Sequence, residues 1–154
     1  MKPLPHRYVV RLVAGPTGYA DALAGGRPAL RTAPPVEYDG PGDAWSPEHL
    51  LLAAVQGCFL FTLRAVARVS KVDFVSLEVE TGGTVDRQNG VTLFTEIVVR
   101  PTLIVPAGTD RARALGVLRK AEKACLVSAS LATPIRFEPE IVEVDVPVLA
   151  GAVG

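Results

Sequence analysis

The stretch from Leu50 to Leu63 constrains the fold more than any other part of the chain, because fourteen residues are interrupted by only two polar side chains, Gln56 and Thr62. Its upstream edge carries helix-start signals. Ser46 reads as the N-cap, Pro47 as the first helical residue, and Glu48 as the acid of the first turn. The helix is expected to run to about Ser70, apolar on all sides to Leu63 and one-sided after Arg64, Arg68 and Lys71. A helix apolar on every side is buried on every side, and one small sheet cannot cover it. A second subunit is therefore expected, and the chain should be an obligate dimer.

The rest of the pattern is that of a small α+β domain. With 154 residues, one domain over 1–154 is expected, large enough to bury roughly two thirds of its unfolded surface. Arg7–Val13 alternates as a strand, and Tyr19–Leu23 and Pro28–Thr32 read as two more around Gly25-Gly26. A loop rich in Gly, Pro and Asp follows, through Gly42 and Asp43. Phe74–Gly82 and Val91–Val105 form a hairpin pattern with Asn89-Gly90 as its turn signal. Thr109 or Asp110 caps a second helix to about Lys123, a short helix is expected at Ser128–Leu131, and Ile135–Val146 alternates as a last strand. Two main helices on antiparallel sheet are expected.

Composition excludes several functions. Sixteen basic and sixteen acidic residues cancel, so no field favours nucleic acid or an anionic membrane. The N-terminal residues lack a signal-peptide core, and the apolar run falls short of the roughly 20 residues that span a bilayer. A cytoplasmic protein without membrane attachment is expected. Two histidines, His6 and His49, and two distant cysteines make a poor metal set, with no close ligand pair. There is no P-loop, G-x-S-x-G elbow or G-x-G-x-x-G, and no cofactor is expected.

Cys58 and Cys125 are the only cysteines, both inside helical patterns. That is not the loop-rich, many-cysteine spacing of a disulfide scaffold. They are either buried small hydrophobes or a redox couple, and the residues alone leave both open.

The segment Ser46-Pro47-Glu48-His49-Leu50-Leu51, followed by Gly57-Cys58-Phe59, resembles the P-E-x-L-L…A-x-C-F signature of the OsmC/Ohr family. Ala121–Leu131, centred on Cys125, is similar to that family's second cysteine motif, with a hairpin and a helix between. The resemblance extends over Arg7 to Val146. It implies an intertwined homodimer with its long helices packed centrally and its active sites at the subunit interface. It also implies a thiol peroxidase acting on organic hydroperoxides, re-reduced by a dithiol such as a lipoylated protein. On this resemblance Cys58 is the peroxidatic thiol, Cys125 the resolving thiol and Glu48 the interface carboxylate. Glu48 stands ten residues before Cys58, about 15 Å along a straight helix, so it is expected to serve the other subunit's site.

One departure concerns the cation that holds the thiolate. The family's arginine commonly lies in T-G-G-R-D, whereas Thr17-Gly18-Tyr19-Ala20-Asp21 has Ala20 at that position. Arg27, or Arg31, from the same loop region would replace it. Leu126 also follows Cys125 where hydroperoxide-resistance members tend to carry proline. The second reading is an OsmC-fold protein that binds a hydrophobic or thiol-reactive ligand in the same pocket. A third is a structural dimer with inert thiols.

Overall fold

The computed structural model describes residues Pro3 to Asp145, so the last residue of the expected final strand, Val146, lies outside the described residues. The chain forms two compact units, one ending at Leu51 and the other beginning at Leu52.

The first unit is an antiparallel sheet of β1 (Arg11–Ala14), β2 (Ala20–Leu23) and β3 (Leu30–Thr32), in the order β1-β2-β3. The first strand is shorter than its alternation predicts. Its partner β2 offers only four residues, and pairing ends at Arg11 opposite Leu23, leaving Tyr8, Val9 and Val10 exposed and unladdered. After β3, Thr32 donates its hydroxyl to the Trp45 carbonyl at 2.7 Å and Ala33 its N–H to the same oxygen at 3.1 Å. Between these anchors the Gly/Pro-rich loop holds a 3-10 turn, Val36–Tyr38, that the sequence pattern does not announce. Gly40 closes it. A Cβ there would collide with the Pro34 carbonyl, so only glycine fits.

Helix α1 (Pro47–Ser70) begins and ends where the sequence places it. Ser46 is buried and caps it, its Oγ accepting the His49 N–H at 3.3 Å while its carbonyl accepts from Leu50 at 2.9 Å. The other end stops because Lys71 turns left-handed, φ 51°, and Val72 donates back to the Ala67 carbonyl at 3.0 Å.

In the second unit, β4 (Ser76–Gln88) and β5 (Val91–Pro106) pair antiparallel about Asn89 and Gly90, φ 51° and 82°. Two successive left-handed residues match the right-handed twist of a hairpin, as the Asn-Gly signal requires. The expected last strand is two strands, β6 (Ile135–Phe137) and β7 (Glu140–Val144), split at Glu138-Pro139. Both run parallel to β5, so this sheet is mixed rather than wholly antiparallel. Glu138 donates its N–H to the Val99 carbonyl at 2.9 Å, and Pro139 has no N–H to continue the ladder.

Helix α2 (Arg111–Lys123) is capped by Asp110, whose carboxylate accepts the Arg113 N–H at 3.0 Å. Helix α3 (Leu126–Ala129) starts earlier than expected, with Cys125 at its N-cap. The main core joins Phe59, Leu63 and Ala67 of α1, Leu103 and Val105 of β5, and Ala114, Val117, Leu118 and Ala121 of α2. By length and composition alone α1 is apolar enough to cross a bilayer, with mean hydropathy 1.9 over its best window. Its Val55, Phe59, Leu63 and Ala67 are instead buried by this chain at four-residue spacing. Phe61 and Val69 stay open, 66% and 85% exposed, which marks a second apolar face that one chain does not cover.

Candidate functional site: a paired thiol

Two anchors fix the middle of α1. The Gln56 amide donates to the Val79 carbonyl of β4 at 2.9 Å, and the Phe59 ring packs on Phe137 of β6, 5.6 Å between centroids. Cys58 stands between these two residues, half-buried. Its sulfur accepts the Val127 N–H of α3 at 3.4 Å. Cys125, buried at 1% exposure, belongs to the core cluster against which Cys58 packs, and the two thiols are near enough to act on each other's acidity. The structure thus brings together the two cysteines that the sequence singles out.

Their acidities diverge. For Cys58 burial opposes ionisation, but the Val127 N–H, the Cys125 thiol, the Leu126 N–H and the Thr62 hydroxyl together outweigh it and lower the pKa below the ordinary thiol value. For Cys125 burial raises the pKa; Ser128, through its hydroxyl and its N–H, pulls the other way, and donation to Cys58 with that sulfur's charge pushes it further up. The result is a thiol that ionises more readily than usual beside one that ionises less readily. A thiolate is the nucleophilic form, and a neighbouring S–H both stabilises it and stands ready to condense with its oxidised product.

The groups acting most strongly on Cys58 are neutral donors rather than a cation. Three of them were not singled out in the sequence: Thr62 and the Leu126 and Val127 amides. Thr62 had a legible signal, a short hydroxyl one turn beyond Cys58 in an otherwise apolar stretch. The amides had none, because backbone donors leave no mark on residue type.

The other expected site residues lie in the first unit. The exposed guanidinium of Arg27 donates to the Gly25 carbonyl at 2.8 Å, within its own turn. Arg31 stacks on the Tyr19 ring, 3.4 Å from its centroid, while the Tyr19 hydroxyl donates to the Asp43 carboxylate at 2.8 Å. Glu48, in the first turn of α1, has one carboxylate oxygen, Oε2, shut off from solvent with no hydrogen-bond partner. It borders a cleft of about 420 Å³ together with Ala20. Trp45 meets the His49 ring edge-on at 6.4 Å. Among the described residues no group of three or more His, Cys, Asp or Glu is placed to hold a metal ion.

The OsmC-like protein family matches residues 40–140 of this chain, α1, the hairpin and both cysteines included. An uncharacterized Bacillus subtilis protein, YmaD, is 30% identical over 109 residues, 69% of this chain and 73% of that protein. Among solved structures, an OsmC-like protein of unknown function from Vibrio cholerae superposes with a TM-score of 0.78 at 15% identity, covering 90% of this chain and all of that one. An organic hydroperoxide resistance protein from Elizabethkingia anophelis gives 0.74 at 19% identity, covering 94% and 100%. At such identities the superpositions speak for the fold. The family match spans well over half of the sequence, and the chain belongs to the OsmC-like protein family.

Proposed function

We propose that this protein is a thiol-dependent peroxidase that reduces organic hydroperoxides through Cys58 and Cys125. The whole chain, 1–154, would act as one OsmC-like domain in a cytoplasmic homodimer. The observation that carries the reading is the contact between the thiols with its opposite pKa shifts, Cys58 lowered and Cys125 raised. The organic hydroperoxide resistance proteins among its structural neighbours support the substrate class.

The Cys58 thiolate attacks the terminal oxygen of the hydroperoxide. The S–O bond forms as the O–O bond breaks, sulfur loses two electrons, and the alkoxide leaves as an alcohol after taking a proton. The resulting sulfenic acid condenses with the Cys125 thiol, forming the S–S bond and releasing water. A dithiol, such as a lipoylated protein, then returns both cysteines to thiols by exchange. Glu48 is assigned the role of interface carboxylate at the other subunit's site, and Arg27, or Arg31, that of the replacement cation that holds the Cys58 thiolate.

Mass spectrometry of reduced protein treated with cumene hydroperoxide at neutral pH tests this. The expected product has an intramolecular Cys58–Cys125 disulfide. Cys58→Ser abolishes peroxide consumption, whereas Cys125→Ser reacts once and then drifts to sulfinic acid. Recovery of both thiols unmodified after excess peroxide overturns the enzyme reading. The neutral surroundings of Cys58 favour the second reading, a slow thiol that holds a hydrophobic or thiol-reactive ligand. Adduct formation with an electrophile but not with peroxide is its signature.

A further inference from the structure

We propose that Gln56 is a positioning residue for Cys58: its grip on the Val79 carbonyl sets the roll of α1 on the sheet, and that roll seats the Cys58 sulfur on the Val127 amide of α3. The grip falls on a carbonyl that β5 leaves free. Ile97 donates its N–H to the Pro134 carbonyl at 3.0 Å and Val99 accepts from Glu138 at 2.9 Å, so these β5 residues turn their backbone groups toward β6. Pro101, two residues on, points the same way by alternation and has no N–H in any case. Val79 lies opposite Pro101, and β4 is an edge strand. The Val79 carbonyl therefore receives no ladder bond from β5, and the Gln56 amide reaches it at 2.9 Å.

The grip and the sulfur lie on opposite flanks of the same helix. Two residues of α-helix are a rotation of about 200°, and the buried stripe of Val55 and Phe59 runs between Gln56 and Cys58. Apolar contact is non-directional and resists a small roll only weakly, whereas a hydrogen bond is directional. Among the described residues Gln56 makes the one hydrogen bond from an α1 side chain to this sheet. A roll of about 20° would carry an atom about 5 Å from the helix axis through about 2 Å. That is enough to open the 3.4 Å contact between the Cys58 sulfur and the Val127 N–H. Helix α3 does not follow such a roll, because Val127 and Val79 pack against the same buried residues, Ile97 and Val99 among them, and so α3 rides on the sheet.

This role of Gln56 rests on the reading of Cys58 as the reacting thiol, but its test uses no peroxide. The Val127 amide is followed by NMR in the isotope-labelled full-length protein as pH rises. Cys125 is the one titratable group among those that act most strongly on Cys58, and it ionises later, so the first step in the Val127 shift reports the Cys58 sulfur. Gln56→Met keeps the length and helix propensity of the side chain but has no donor. It is expected to erase most of that step and to slow Cys58 alkylation by iodoacetamide at pH 7 about tenfold, the equivalent of one pKa unit, with helical circular dichroism unchanged. Gln56→Asn, a methylene too short to reach the carbonyl, should do the same with the amide group retained. A folded variant that keeps the native Val127 step and alkylation profile, and loses only unfolding midpoint, makes Gln56 a structural tie and overturns the proposal. Alkylation that slows while the Val127 step stays in place overturns it as well. A native chain that leaves peroxide untouched while its Val127 step still answers to Gln56 would defeat only the enzyme reading.

Discussion

Helix α1 carries two apolar faces with different fates. Val55, Phe59, Leu63 and Ala67 are buried by this chain, while Phe61 and Val69 are exposed on a surface that also carries Arg64 and Arg68. What distinguishes them is the four-residue spacing that matches the packing of α2 and the sheet, which one face meets and the other does not. Cys58 sits at the border, one turn from buried Val55 on one side and three residues from open Phe61 on the other. It is enclosed enough to be held by fixed donors and open enough to react.

Truncating the covered face should have the largest effect. Leu63 is fully buried among α2 and β5 residues, so Leu63→Ala removes its packing and leaves a cavity. A loss of about 3 kcal/mol in unfolding free energy is expected from denaturant titration, within the roughly 2–5 typical of such truncations. A loss under about 1 kcal/mol would mean that the helix packs more loosely than the fold implies.

Much of this arrangement is legible in the sequence. The limits of α1, the Ser46 and Asp110 caps and the Asn89-Gly90 hairpin follow from local chemistry, and local chemistry is what a sequence writes down. The pairing of the two cysteine motifs is legible only through the family resemblance. Other features depend on distant partners. Nothing in Ile135–Val144 states that β6 and β7 run parallel to β5, because that direction is set by the crossover through α2 and α3. The alternation of Arg7–Val10 marks a chain able to form a strand but not the edge that would receive it. The Val127 amide beside Cys58 is invisible for the same reason. Within this chain the donors to the Cys58 sulfur include backbone N–H groups, which residue type does not reveal.

The open face is expected to be the dimer contact. Phe61→Asp places a charge on it without touching the buried stripe, so helical circular dichroism should stay unchanged. Sedimentation at micromolar concentration should show a shift from dimer to monomer. Obligate interfaces bury about 2,000 Å² or more in total, and a desolvated charge near the centre of one costs several kcal/mol. A Phe61→Asp protein that remains dimeric would move the contact to another surface, and a native chain that sediments as a folded monomer would remove it.

The smallest effect is expected at the border itself. Thr62→Val keeps the shape of the side chain and removes one of the four groups that lower the Cys58 pKa. The thiol pKa should rise, and because only the thiolate is alkylated, the iodoacetamide rate at pH 7 should fall by about threefold, the equivalent of half a pKa unit. The sign follows from the direction of each shift. In the native chain Cys58 alkylation should rise with pH earlier than for a free thiol, and Cys125, only 1% exposed, should label later and slowly. In Thr62→Val the first of these profiles should move toward the second, while the unfolding midpoint changes little. If the profile stays in place, the amides of Leu126 and Val127 hold the thiolate without the hydroxyl, and the border position of Cys58 owes its reactivity to α3 alone.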